Sequence, residues 1–122
     1  MTLVDSSVWV DHLRVGDEGL AALLNGSRVL GHPFVLGELA LGNLHQRALI
    51  HESLQNLAQA VVAGDDEVVQ FITAKQLFGR GIGYVDAHLL AAVRLTPGSR
   101  LWTRDKRLRV LAEGLGLAAE MD

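Results

Sequence analysis

Asp5, Glu38, Asp86 and Asp105 are the residues whose types and settings suggest chemistry. Asp5 ends the run Thr2-Leu3-Val4 and precedes Ser6-Ser7, the pattern of a short buried strand that hands a carboxylate to a helix start. Asp105 repeats that setting after Leu101-Trp102-Thr103. Asp86 stands in the first turn of a strongly apolar helix, behind Gly81-Ile82-Gly83. Glu38 lies within Phe34-Val35-Leu36-Gly37-Glu38-Leu39-Ala40-Leu41, where a carboxylate among apolar neighbours calls for a partner. In a parallel sheet, Asp5 and Asp105 both reach the carboxyl edge, where α/β folds form their ligand crevice.

Each acid also has a plainer role. Asp5 and Asp105 suit helix capping, Asp86 suits the positive end of a helix dipole, and Glu38 suits an exposed helix face. If the four meet, their repulsion is severe unless a cation neutralises it. The chain has no cysteine, and its five histidines lack metal-motif spacing. An oxygen-only donor set of this kind suits a hard divalent ion, Mg²⁺ or Mn²⁺. His88, two residues after Asp86, is either a pocket wall or a packed ring.

The elements that must position these acids can be read in order. Strands are expected near residues 2–4, 28–31 and 101–103, with a further short one at 115–118. Residues 58–63 are ambiguous between helix end and strand. Helices are expected over 6–13, 18–24, 33–41, 44–57, 65–79, 84–95 and 106–113. Pro33 suits a first helical turn, and Asp65-Asp66-Glu67 suit the start of the next helix but one. The helix from Tyr84 is apolar nearly throughout and is expected to be buried. Strands alternating with helices imply a small parallel sheet flanked by helices.

At 122 residues and 49% hydrophobic, the chain is the size of one domain, 1–122, with enough apolar matter for a core. No repeat or linker interrupts it. No apolar run approaches the ~18 residues of a membrane span. No signal peptide is recognisable, so the expected setting is the cytoplasm, with no membrane partner. A net charge of −3 argues against broad nucleic-acid coating. Yet Arg94, Arg100, Arg104, Lys106, Arg107 and Arg109 gather six of the eleven basic residues in one short stretch. That cluster is either a solvated helix face or a phosphate-contacting patch. The adjacency of Arg104, Lys106 and Arg107 to Asp105 makes them candidates for guiding a nucleic-acid backbone.

With these residues in view, the sequence resembles a known family. Leu3-Val4-Asp5-Ser6-Ser7-Val8-Trp9 is similar to the opening motif of PIN-domain ribonucleases, in particular VapC-type toxins of bacterial toxin–antitoxin pairs. Gly37-Glu38-Leu39 resembles the second acidic motif of that family, Gly81-Ile82-Gly83-Tyr84-Val85-Asp86-Ala87-His88-Leu89-Leu90-Ala91 the third, and Leu101-Trp102-Thr103-Arg104-Asp105-Lys106-Arg107-Leu108 the fourth. The likeness runs from Leu3 to about Leu117, with all four acids in order.

The resemblance implies a PIN-like three-layer α/β sandwich and a Mg²⁺-dependent endoribonuclease. Asp5 and Asp86 would be metal ligands, and Asp105 would complete the pocket directly or through water. Glu38 would position or deprotonate the attacking water, and the Ser7 and Thr103 hydroxyls would orient the carboxylates. A VapB-type antitoxin, an RNA substrate such as tRNA or rRNA, and a homodimer are implied as well. The competing reading is a non-catalytic PIN-like module that binds RNA or protein. Aspartate-based phosphatases are disfavoured, because Ser7 occupies the place of their second acid. Receiver domains are disfavoured by the lack of a clear late-strand lysine.

Overall fold

A computed structural model describes residues 1–121. Its order is β1 (Thr2–Val4), α1 (Ser6–Val15), α2 (Glu18–Asn25), β2 (Val29–Gly31), α3 (Pro33–Ala40), α4 (Arg47–Gln55), β3 (Ala58–Gln59), α5 (Asp65–Ala74), α6 (Tyr84–Leu95), β4 (Arg100–Trp102) and α7 (Lys106–Gly114). The four strands form one parallel sheet in the order β3-β2-β1-β4. This is the expected PIN-like three-layer arrangement of a small sheet flanked by helices. No helix among the described residues is long and apolar enough to cross a membrane.

β1 is an inner strand, with β2 on one side and β4 on the other. Its Leu3 and Val4 are fully buried, as a strand covered on both faces requires. The registers Thr2 with Arg100, Leu3 with Leu101 and Val4 with Trp102 bring the strand ends level. Asp5 and Thr103 therefore emerge side by side. Helices α1, α3 and α4 pack against one another in turn, while α5 packs on α6 and α6 on β4. The run Ala87–Val93 of α6 is buried without interruption, which accounts for its apolar composition.

The ambiguous 58–63 region resolves into the two-residue strand β3. The expected strand at 115–118 is reduced to a parallel bridge between Leu101 and Ala118. Helix α4 begins at Arg47, three residues later than the sequence suggests, behind a left-handed Gln46.

Helix α5 ends at Ala74 rather than near Gly79. Gln76 adopts φ 53°, the Leu77 N–H reaches back to the Ile72 carbonyl at 2.9 Å, and Leu77 is buried. This is a Schellman ending with a glutamine in the left-handed place that usually favours glycine. Helix α2 closes the same way, through Ser27 at φ 54° and a bond from Arg28 N–H to the Leu23 carbonyl. Helix α7 does so with Gly116 at φ 71°.

Candidate active site

The parallel register of β1 and β4 builds the centre of the site. Asp5 is the N-cap of α1 and is 5% exposed. One carboxylate oxygen accepts the Ser6 N–H at 2.8 Å. The other accepts the Ser7 hydroxyl and the Thr103 hydroxyl, each at 2.8 Å. Both hydroxyls are themselves held. Ser7 Oγ accepts the Arg104 N–H at 3.0 Å, and Thr103 Oγ1 accepts the Asp105 N–H at 3.1 Å. A buried carboxylate is tolerable here because donors surround it. Asp5 thus caps α1 with one oxygen while the Ser7 and Thr103 hydroxyls fix the other.

Asp86 is the third residue of α6 and half-buried, and it accepts the Gly83 N–H at 3.1 Å. Burial, then the charges of Asp5 and Asp105, push its carboxyl above the usual range, against the lowering effect of that bond. Asp105 caps α7 by accepting the Leu108 N–H at 3.0 Å and is exposed. Glu38 lies on α3, where Val35 and Leu39 are buried and Glu38 is exposed. The Ser6 hydroxyl donates to it at 3.3 Å. Partial desolvation, then the charges of Asp5 and Asp86, raise its carboxyl above the usual range, while Ser6 opposes that shift.

The four acids are thus linked electrostatically: Glu38 to Asp5 and Asp86, and Asp86 to Asp5 and Asp105. They do not close into a ready-made cage. Among the described residues, no group of three or more His, Asp or Glu side chains gathers closely enough to hold a metal ion. Asp5, Asp86 and Asp105 each lean toward a helix N-terminus, which supplies part of the charge compensation. The donor chemistry still fits a hard divalent cation. It is all oxygen, and two of its carboxyls are raised by burial and then by neighbouring negative charge, the second of which a cation would offset.

The basic residues separate into two kinds. The Arg104 guanidinium binds Asp11 at 2.7 Å and also pairs with Asp17. It lies over the Trp102 ring at 5.5 Å. Arg104 is therefore engaged in joining α1, the α2 cap and β4. Its hydrogen bond is the leading cause that holds the Asp17 carboxyl below the usual range. Lys106 and Arg107 are exposed. Arg107 lies across Gly81, where an added Cβ would meet the Arg107 side chain at 2.8 Å. With φ +82° as well, Gly81 shapes the loop that carries α6 around that arginine.

His88 packs inside rather than lining a pocket. It is 2% exposed, and its Nε2 is 3.2 Å from Asp65 Oδ1. Three features of the site were not read from sequence. Ser6 reaches Glu38 as well as starting α1. His32 caps α3 by accepting the Phe34 N–H at 3.0 Å. Burial, then the nearby His88, lowers the His32 pKa to about 4. Phe34 stands one helical turn before Glu38. Pro33 could have revealed the cap, since it fixes the first turn and leaves residue 32 as the capping position.

The PIN domain family model matches residues 2–114. Ribonuclease VapC32 of Mycobacterium tuberculosis, in the strains CDC 1551 / Oshkosh and ATCC 25618 / H37Rv, is 47% identical over 123 residues, covering 99% of this chain and 99% of that protein.

Proposed function

This chain belongs to the PIN-domain family, as a VapC-type ribonuclease toxin, and on that premise we propose that it is a Mg²⁺-dependent endoribonuclease working as a single domain. Mn²⁺ is its expected substitute. It acts as the toxin of a type II pair in the cytoplasm, cleaving tRNA or rRNA. A cognate VapB-type antitoxin neutralises it, and the active unit is a homodimer. The observation that carries this reading is the joining of Asp5 to Ser7 and Thr103, with Asp86, Asp105 and Glu38 within electrostatic reach.

Asp5, Asp86 and Asp105 are assigned to the metal, with Asp105 acting directly or through water. The cation, when bound, lowers the pKa of water and offsets charge on the phosphate. Ser7 and Thr103 hold Asp5 in one orientation, so little rearrangement is needed as charge develops. Glu38 is suited to positioning and deprotonating the attacking water, because its raised proton affinity makes it a better base than an ordinary carboxylate. The water oxygen bonds to phosphorus, the ester oxygen departs, and the proton passes to Glu38. Solvent protonates the leaving oxygen. Lys106 and Arg107 guide the RNA backbone toward this point. Arg104 acts with them chiefly by fixing the β4–α7 turn that presents them.

Purified wild type and Asp5→Asn, incubated with cellular RNA and Mg²⁺, test the proposal. Mapped new 5′ ends should appear with wild type alone and vanish on chelation. Equal cleavage by the purified variant overturns the assignment. No cleavage by either favours the non-catalytic module.

A further inference from the structure

A cavity of about 530 Å³ shares a wall with the acids. It lies among α1, α3 and the start of α4. Ser6 and Glu38, joined by a hydrogen bond at 3.3 Å, line it on the side of the site. Val10 and Leu13 of α1, Leu39 of α3, Leu44 and Ile50 give it apolar walls. Arg14 and Asn43 line it too, and both are exposed.

The walls are held in place. Helix α1 packs on α3, and α3 packs on α4. The turn over 41–46 is tied at its start. The Gly42 N–H donates to the Leu39 carbonyl at 3.0 Å, and the Arg47 guanidinium donates to the Gly42 carbonyl at 3.3 Å. Arg14 meets Asp11 at 3.6 Å in an exposed pair, which competes weakly for its guanidinium. Asp11 is engaged more closely by Arg104, at 2.7 Å.

The lining selects the occupant. An apolar peptide side chain needs only apolar walls. A nucleotide brings a flat base with a polar edge and a negative phosphate. Those parts match the aliphatic walls, the Asn43 amide and the Arg14 guanidinium. The volume falls in the range of small-molecule sites. A base paired in a duplex has its edge occupied, so the occupant must be unpaired.

We propose that this cavity is a subsite for one unpaired nucleotide next to the scissile phosphate, with Asn43 reading the base edge and Arg14 meeting the adjoining phosphate. This deepens the ribonuclease reading and rests on it. Glu38 is the link, because its side chain belongs to both the cavity wall and the acid site. A base held there fixes the register of the RNA over the attacking water. Asn43 and Arg14 are positioning residues that select the cleavage site and take no part in proton transfer.

Two measurements test this. Binding is read by fluorescence anisotropy of labelled single-stranded 8-mers of A, C and U on Asp5→Asn protein. Val10→Trp, whose larger ring fills the cavity from a half-exposed position, should weaken the tightest of the three about tenfold. Asn43→Ala, an exposed change that spares the core, should narrow the spread among them. Cleavage is then read on RNA with a mapped site and on copies abasic at one position at a time beside it. One abasic position should raise the KM of wild type about tenfold with kcat within about twofold, and should cost Val10→Trp nothing further. Unchanged RNA binding in both variants, or equal base-removal effects in wild type and Val10→Trp, overturns the subsite and leaves the ribonuclease reading standing. Loss of anilinonaphthalene sulfonate binding in Val10→Trp with RNA binding unchanged also overturns it, and makes the cavity an apolar protein groove. Base-dependent binding without cleavage by wild type removes the ribonuclease reading and leaves a nucleotide-binding cavity.

Discussion

Asp5 and Glu38 influence one another across the candidate site, yet they are held in opposite ways. Asp5 is 5% exposed and accepts three hydrogen bonds, two of them from hydroxyls anchored in turn by backbone N–H groups. Glu38 is exposed and receives one hydroxyl at 3.3 Å. The β1–β4 wall is a rigid, fully donated network. The α3 wall is a short helix capped by a neutral histidine. A group that orients a cation gains from rigidity, and a group that takes up a proton gains from a raised pKa and room to move. The difference between the walls matches the division of labour proposed for them.

The largest expected effect breaks the rigid wall at its centre. Asp5→Asn should lower kcat/KM at least about 10³-fold while circular dichroism and the unfolding transition stay cooperative. Asp86→Asn should behave alike. Glu38→Gln should cost about 10²-fold in kcat with little change in metal affinity measured by calorimetry. A loss of metal affinity equal to that of Asp5→Asn would erase the distinction between the walls. Thr103→Val should reduce metal affinity by about 10-fold or more, since it removes one of the two hydroxyls that orient Asp5.

The α3 wall should respond to mild acid through its cap. His32 has a folded pKa of about 4 against an ordinary value of 6.5. A depressed histidine means that protonation favours the unfolded chain. The stability from neutral His32 is complete above pH 6.5 and is lost as pH falls toward 4, by about 3 kcal/mol in total. Urea midpoints taken between those limits should fall in wild type and fall less in His32→Asn, which retains a capping side chain. Parallel slopes in the two proteins would detach the cap from the acid response. The smallest effect belongs to a site remote from both walls. Gln76→Gly should raise stability by about 1 kcal/mol without altering kcat, by relieving a left-handed glutamine.

How much of this was legible depends on whether the signal is local. The strand–acid–helix pattern at Asp5 and at Asp105 is contained in a few residues, and both positions fold as read. The burial of α6 follows from its own apolar run. The end of α2 falls at Gly26, next to the bound read from sequence, whereas the end of α5 rests on Gln76 with no glycine to announce it, and burial of Leu77 helps to close it. The pairing of Arg104 with Asp11 and Asp17 spans most of the chain, so adjacency to Asp105 pointed to a different role. The hydroxyl of Ser6 was legible as a helix start, but its reach to Glu38 depends on how α1 packs on α3. The packing of Phe34 against His88 was hidden for the same reason, because the two belong to separate helices.

The position of β1 has a consequence for synthesis. β1 is made before both of its neighbours, β2 and β4, and Asp5 shares a hydrogen bond with a residue 98 positions later. At bacterial elongation rates that interval is about 5–20 s. Throughout it the nascent chain carries Asp5 without Thr103 or Asp105 beside it. Vectorial synthesis thus acts as a timer: the crevice is assembled only after the whole segment from Asp5 to Asp105 has been made. A chain of this topology therefore carries an incomplete set of acids for as long as the segment from Asp5 to Asp105 is being made.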